Sequence, residues 1–386
     1  MRIFLSAQQA LRRHAVPGYA FWEYYFKQGL AEAGHEVIET PGVDWAEGLT
    51  HLEPAARMRW LGDTWTRTVE FLRAEHARKP VDLFLGYLFP NQVEPAAVVA
   101  IQGRGIPCVN FFCDNVREFT QVPASFHGFD LHWVPEADAR ALYSVAKLPF
   151  VYAPMPTWMP PEYRTLPDTE KEDTTFIGSH DALREDLLGE AVSRGLSLRL
   201  YGDGWRPSGL GTGPAPRTLR GTVANQFAFL HMHGLRGFAM RATYQFHRQR
   251  PGNWIDHCWQ PALQGDAYFR ASRESQVVVG VNRYPSFRHP FSQPGRYSRL
   301  RDIEAPMLGA CYLTEWAPGL ADLYDLETEI ATFRDAAGLV EEVARLRADP
   351  GRRQSLRRLG QRRALADHTL ARSVRRIADK LGLKRE

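Results

Sequence analysis

Cysteine is scarce in this chain: four in 386 residues (Cys108, Cys113, Cys258 and Cys311), with no CxxC pair and no zinc-ligand spacing. A disulfide scaffold is therefore excluded, and the expectation is reduced, buried thiols in a cytoplasmic protein. No apolar run approaches the roughly 18 residues that a membrane span requires. Residues 1–6 (MRIFLS) form a short apolar core soon broken by Gln8, Gln9, Arg12 and Arg13, which reads as a buried first strand and no signal peptide. No Gly-x-Gly-x-x-Gly follows that strand, which counts against a dinucleotide-binding dehydrogenase. Acidic residues are missing altogether from Gly204 to Ile255.

What is present fits a two-domain globular protein. The length exceeds one ordinary core, and 44% apolar with 24% charged residues is an ordinary globular composition. The net charge of +4 is uneven: residues 1–165 hold 15 Lys and Arg against 18 Asp and Glu, the remainder 33 against 26. A basic second half suits a domain that holds an anion, but the excess is too small to argue for nucleic acid.

Short apolar strands alternate with helices, the pattern of βαβ units and a parallel sheet. Strands are expected at 2–6, 35–39, 81–88, 106–112, 131–134 and 150–153, and a helix at 21–33 ending on Gly34. Pro154, Pro156, Pro160, Pro161 and Pro167 then lead into a charged run, a stiff polar linker over 156–173. The alternation restarts with strands at 174–178, 197–201, 276–281 and 310–313 and helices at 183–194, 336–347, 351–366 and 371–381. The expected divisions are a domain at 1–155, the linker, a second domain at 174–370 and a C-terminal helix at 371–386. The acid-free stretch carries Arg206, Arg217, Arg220, Arg236, Arg241, Arg248 and Arg250, interleaved with histidines and tryptophans. It is taken as a basic, helical insertion at about 206–262. A solvated surface, a site for an anionic acceptor or membrane surface, and a nucleic-acid contact without any recognised module all remain open for it.

The most informative motif is Arg301-Asp-Ile-Glu304, with Gly309 following. A glutamate can accept hydrogen bonds from both hydroxyls of a ribose. An arginine three residues earlier lies on the same helical face and can donate to a diphosphate in bidentate fashion. A surface Arg/Glu helix pair is the simpler alternative. Other stretches carry a resemblance. Leu30-Ala-Glu-Ala-Gly34-His35-Glu-Val37 is similar to the helix-to-strand signature of many GT-B glycosyltransferases. Phe176-Ile-Gly178-Ser179, Arg184 and Leu200-Tyr-Gly202-Asp-Gly204-Trp205 resemble the second-domain opening of the spore-maturation (CgeB-like) glycosyltransferases. The Arg301/Glu304/Gly309 motif, Glu329-Ile330, Asp349-Pro350 and His368-Thr369 continue that family's order.

The resemblance implies an α/β fold of two Rossmann-like domains facing each other across a cleft. It also implies a nucleotide diphosphate-sugar held mainly by the second domain and an acceptor by the first. On that basis Gly178, Ser179, Arg184, Gly202, Gly204, Trp205, Asn282, Arg283, Arg301 and Glu304 are the candidate donor contacts. In many related retaining enzymes a further glutamate lies eight positions before Glu304; here that position is Arg296. In the first domain, Asp114, after a strand, and His14, in the loop 7–20 with Gly18, are the candidate bases for an acceptor hydroxyl. Asp-x-Asp, used by many metal-dependent glycosyltransferases, is absent, and Glu136-Ala-Asp138 is only a relaxed version. No metal and no cofactor are expected, with arginines and helix dipoles in the cation's place. The expected activity is metal-independent hexosyl transfer from a nucleotide-sugar, in the cytoplasm or docked peripherally at the inner membrane surface, to an anionic or membrane-associated acceptor. A non-catalytic nucleotide-sugar-binding protein and a nucleotide-sugar epimerase are the alternatives.

Overall fold

The structure, a computed structural model, describes residues 1–14, 19–50, 52–206, 253–286 and 288–383, with four further positions at 235, 237, 239 and 240. Most of the expected insertion, and Gly18, lie outside the described residues. The chain divides into two compact units, Met1–Met159 with Ala366–Glu386, and Pro160–Leu365.

The first unit carries strands β1 (Arg2–Ser6), β2 (Glu36–Ile38), β3 (Leu83–Tyr87), β4 (Cys108–Phe111), β5 (Leu131–Val134) and β6 (Phe150–Tyr152). They form one parallel sheet in the order β2-β1-β3-β4-β5-β6. β1, β3, β4 and β5 are buried at every position, as strands covered on both faces must be. Polar residues inside this core have partners that fix the chain. Asn110 of β4 donates to the Leu88 carbonyl at 3.1 Å and accepts from the Leu88 amide at 3.0 Å, pinning the turn after β3. The helix Leu370–Leu381 also belongs to this unit. The Leu370 side chain lies against Gly29, where an added Cβ would come within 3.0 Å of it. The last helix thus closes the first unit, which its sequence position after the second half could not reveal.

His132 of β5 is an exception to the rule of partnered polar groups. It is 1% exposed, packed by Phe126, Phe129 and Tyr143, and neither ring nitrogen has a partner among the described residues. Burial, with a smaller effect from His127, pushes its pKa down to about 3. The native state therefore keeps it neutral while the unfolded chain protonates it below about pH 6.5. Stability is lost as pH falls from 6.5 toward 3. His132→Phe is expected to retain about 2 kcal/mol more stability than the parent at pH 4.5. Urea unfolding at pH 7.5 and 4.5 checks this; equal acid losses in the two proteins would contradict it.

The second unit carries β7 (Lys171–Ile177), β8 (Arg199–Tyr201), β9 (Trp259–Gln260), β10 (Ser275–Gly280), β11 (Arg283–Tyr284), β12 (Gly295–Arg296), β13 (Tyr312–Glu315) and β14 (Ala331–Phe333). Its main sheet is parallel in the order β14-β13-β10-β7-β8-β9, and β11 and β12 form an antiparallel ribbon. β7 starts inside the expected linker. Lys171 pairs with Glu274 at 2.5 Å and Asp173 with Arg199 at 3.4 Å, so the end of the charged run forms the start of an interior strand. The end of the expected insertion is also sheet: Trp254–Cys258 is helical and β9 follows, extending the edge beside β8. β13 runs two residues beyond its apolar stretch, because Thr314 and Glu315 find buried partners described below.

From β7 the chain runs outward through β8 and β9 on one side and through β10, β13 and β14 on the other. The junction of β7 and β10 is the topological switch point. Open parallel sheets bind ligands there, outside the carboxyl ends of the strands. Among the described residues no helix is long and apolar enough to cross a membrane.

Candidate functional site

At the carboxyl end of β7 the backbone turns at Gly178-Ser179 into the helix Ala182–Ser193. Asp181 caps that helix, accepting from the amides of Leu183 and Arg184 at 3.0 Å each. The turn is set by the neighbouring strand. The Gly178 amide donates to the Tyr201 carbonyl at 2.9 Å, the His180 amide to the Asp203 carbonyl at 2.9 Å, and the Trp205 indole N–H to the Gly178 carbonyl at 2.8 Å. Gly202 has φ +145°, and an added Cβ would stand 2.1 Å from the Gly178 carbonyl oxygen. The close approach that Gly202 permits is thus to this backbone. Gly204 also needs its positive φ of +81°. Trp205 is fully buried among Phe176, His180 and Trp254. It pins the turn from the core and presents no open stacking face.

Two guanidinium groups bracket Gly178. Arg184 folds back to donate through Nη1 to the Ser179 carbonyl at 2.6 Å, and Arg301 donates through Nη2 to the Ile177 carbonyl at 3.2 Å. The Arg184 pKa is pushed down to about 10, first by burial, then by the charge of Arg299, with Arg301 adding to it and Asp181 and Tyr297 opposing. Arg299 therefore faces the same point. Its Nη2 donates to the Arg283 carbonyl at 2.9 Å, just past β10. Three guanidinium groups thus converge on the switch point, a concentration of positive charge that favours an anion.

Glu304 lies beside them, 5% exposed, on the helix Arg301–Met307. Arg301 Nε stands 4.0 Å from its Oε2, so the expected shared face is real but the contact is indirect. Tyr268 bridges the two: its hydroxyl donates to Glu304 Oε2 at 3.0 Å and accepts from Arg301 Nη1, while Arg301 lies 4.6 Å over its ring. Burial pushes the Tyr268 pKa up, keeping it a neutral donor. Sequence reasoning missed Tyr268 and Arg299. An aromatic more than thirty residues upstream carries no local signal, whereas Arg299, two residues before Arg301, was within reach of the same charge argument.

Asn282 and Arg283 follow β10 but are already engaged. Asn282 Nδ2 donates to the Glu315 carbonyl at 2.8 Å and to Thr314 Oγ1 at 3.2 Å. Arg283 donates to Glu315 Oε1 through Nε at 3.0 Å and Nη2 at 2.8 Å, and Arg296 Nε joins at 2.6 Å. Burial pushes the Glu315 pKa up, but hydrogen bonds and charge from Arg283 and Arg296 outweigh it, so it stays below the usual carboxylate range. Asp302, fully buried, accepts from Tyr312 at 2.8 Å and Thr314 at 2.9 Å, which ties the Arg301–Glu304 helix to β13.

The first-unit candidates stand apart in chemistry. His14 Nε2 lies 2.9 Å from both oxygens of Asp44, whose carboxylate is fixed by the amides of Leu11 (3.1 Å) and Glu47 (3.0 Å). Asp114 precedes the short helix Asn115–Glu118 without capping it, its carboxylate 4.0 Å from Arg117. Glu136 is fully buried, taking Asn115 Nδ2 at 2.5 Å, and burial pushes its pKa well up; Asp138 is exposed, so the two do not converge. Among the described residues no group of three or more His, Cys, Asp or Glu could hold a metal ion. All four cysteines are buried and unpaired.

No curated protein matches the sequence. Solved structures do match its fold. The sucrose-phosphate synthase of Thermosynechococcus elongatus aligns over 98% of both chains at 16% identity and a TM-score of 0.56. Anabaena HepE, solved in complex with UDP, aligns over 99% of this chain and 100% of its own at 10% identity and a TM-score of 0.57. An alpha,alpha-trehalose-phosphate synthase (UDP-forming) from Burkholderia vietnamiensis covers 99% of both chains at 12% identity and a TM-score of 0.53. These likenesses establish the fold: two Rossmann-like α/β units, as in GT-B glycosyltransferases. A family described as "Glycosyl transferase-like" matches residues 184–379, which run from Arg184 through Arg299, Arg301 and Glu304. The match spans just over half the sequence, and the chain belongs to the glycosyl transferase-like family.

Proposed function

We propose that this chain transfers a hexosyl group from a nucleoside diphosphate sugar to an acceptor hydroxyl, and that the second unit holds the donor. The carrying observation is the convergence of Arg184 and Arg301 on the Gly178 turn, with Arg299 on the Arg283 carbonyl just past the neighbouring β10 and Glu304 buried beside them. In this reading Glu304 accepts hydrogen bonds from the ribose diol and the arginines take the diphosphate. The complex of HepE with UDP supports the choice of ligand class. In the transfer, the acceptor oxygen bonds to the anomeric carbon and the carbon–oxygen bond to the diphosphate breaks. Its electron pair leaves with the diphosphate, and the acceptor proton passes to a base. Asp114 and His14 are the candidates for that base, in the unit we assign to the acceptor.

Stabilising the leaving diphosphate is the largest electrostatic demand of this reaction. Three arginines supply the charge that a divalent cation would otherwise bring, so we assign the reaction no metal. Turnover is expected to be unchanged after dialysis against EDTA, measured as nucleoside diphosphate release; loss of turnover restored by magnesium or manganese would contradict this.

The test of function itself is to mix the chain with UDP-, GDP- or dTDP-sugars and pooled acceptor sugars and to follow free nucleoside diphosphate. Acceptor-dependent release is expected. Donor binding without release would point to a binding protein, and conversion of the donor sugar without release to an epimerase.

A further inference from the structure

Positive charge at this sheet edge does not end at Arg299. Arg283 and Arg296 are direct cross-strand partners in the β11–β12 ribbon, a placement that like charges disfavour unless something holds them. Glu315 does so, and it is a single carboxylate for two guanidinium groups. Its other oxygen accepts from the backbone amides of Asn282 (3.2 Å) and Arg283 (3.0 Å). One unit of positive charge is left over. Arg283 and Glu315 are buried, whereas the Arg296 side chain is 30% exposed and uses only Nε on Glu315. The surplus charge therefore faces outward at Arg296.

Two further observations point to a ligand here. Asn282 is fully buried, yet its Oδ1 has no hydrogen-bond partner among the described residues. Arg299 Nε is likewise buried without one. Each unsatisfied buried donor or acceptor calls for an explanation, and a ligand is one: Asn282 Oδ1, an acceptor, suits a sugar hydroxyl, and Arg299 Nε, a donor, suits an anionic oxygen.

The order of the groups sets what that ligand presents. Glu304 with Tyr268 and Arg301 lies on one side, and Arg184 at the Gly178 turn is next. Arg299, bonded to the Arg283 carbonyl and close enough to Arg184 to perturb it, leads on to Arg283 and Arg296. A donor with its diol on Glu304 and its diphosphate on the three arginines carries its glycosyl group to the Arg283–Arg296 pair. We infer that the transferred sugar bears a carboxylate, bound by Arg296, so that the donor is a nucleoside diphosphate hexuronate. A carboxylate matches the two-pronged donor geometry of a guanidinium, whereas a neutral hexose leaves the surplus charge facing hydroxyls. This inference rests on the donor site proposed above.

Titration calorimetry separates the two. The ligands are UDP, UDP-glucose and UDP-glucuronic acid, with GDP, GDP-mannose and GDP-mannuronic acid as a second series. For the nucleotide that binds, the hexuronate is expected to bind at least about tenfold tighter than the neutral hexose, one charge-assisted contact's worth. Arg296→Gln is expected to bring that ratio near one. Arg296→Lys, which keeps the pairing with Glu315 and so guards against misfolding, is expected to leave an intermediate ratio. A neutral hexose that binds as tightly as the hexuronate, or a preference that survives Arg296→Gln, overturns the inference while leaving the donor site standing. Failure of every nucleoside diphosphate to bind overturns both.

Discussion

Glu304→Ala is expected to weaken nucleoside diphosphate binding by about 100-fold, measured by titration calorimetry. The carboxylate is assigned two charge-assisted hydrogen bonds to the ribose diol, each contributing about 1.5 kcal/mol or more, and about 2.8 kcal/mol corresponds to that factor. The substitution also removes the acceptor of the Tyr268 hydroxyl, which itself receives Arg301. A misplaced Arg301 then weakens the diphosphate contacts as well. Tyr268→Phe distinguishes the contributions, since it leaves the carboxylate and removes only the bridge; it is expected to lose less affinity than Glu304→Ala. Unaltered affinity in Glu304→Ala would show that this carboxylate is a packing residue.

Glu315→Ala is expected to cost about 3–5 kcal/mol of stability, the loss seen when one member of a buried ion pair is removed. Glu315 is fully buried and takes Arg283, Arg296 and two backbone amides. Without it two guanidinium groups confront each other across the ribbon with no counter-charge. Such a loss is a large share of the 5–15 kcal/mol typical of a folded protein. The native pKa of this carboxylate lies below its unfolded value, so its contribution is present at neutral pH and falls away as pH drops through the native value. Denaturant unfolding at pH 7 checks the prediction. A midpoint within error of the parent would mean that the cluster contributes nothing net. Arg283→Leu with Glu315→Leu is expected to recover part of the loss, because the buried Arg283 charge leaves with its partner and the remaining Arg296 is 30% exposed to water.

The fold was largely legible because parallel strands buried on both faces are continuous apolar runs. β1, β4 and β5 stand out in the sequence for that reason, and so does the restart of the pattern at β7. Boundaries failed where polar residues enter strands. Thr314 and Glu315 end β13 with charge and hydroxyl that look like loop, and only the distant Asp302, Arg283 and Arg296 explain their burial. Lys171 and Asp173 look like linker until Glu274 and Arg199 appear beside them. The return of the last helix to the first unit depends on Leu370 meeting Gly29, a contact across more than three hundred residues.

The site was legible in part for the same physical reason. Arg301 and Glu304 lie one helical turn apart, so their shared face follows from spacing alone, and Gly178-Ser179 follows a strand by local pattern. The bridge by Tyr268, the convergence of Arg299 on Arg184 and the capture of Arg283 by Glu315 are tertiary. Trp205 and Gly202 have structural tasks that spacing alone does not show. The resemblance makes both candidate donor contacts, and both are occupied in holding the Gly178 turn.

The central claim, that the second unit grips a nucleoside diphosphate through Arg184, Arg299, Arg301 and Glu304, is tested most directly by thermal unfolding of the intact chain with and without UDP, GDP and dTDP. At least one of them, at about 100 times its dissociation constant, is expected to add about 2.7 kcal/mol of stability and raise the melting temperature, with the rise largely lost in Glu304→Ala. An unchanged melting temperature with all three at millimolar concentration would contradict it.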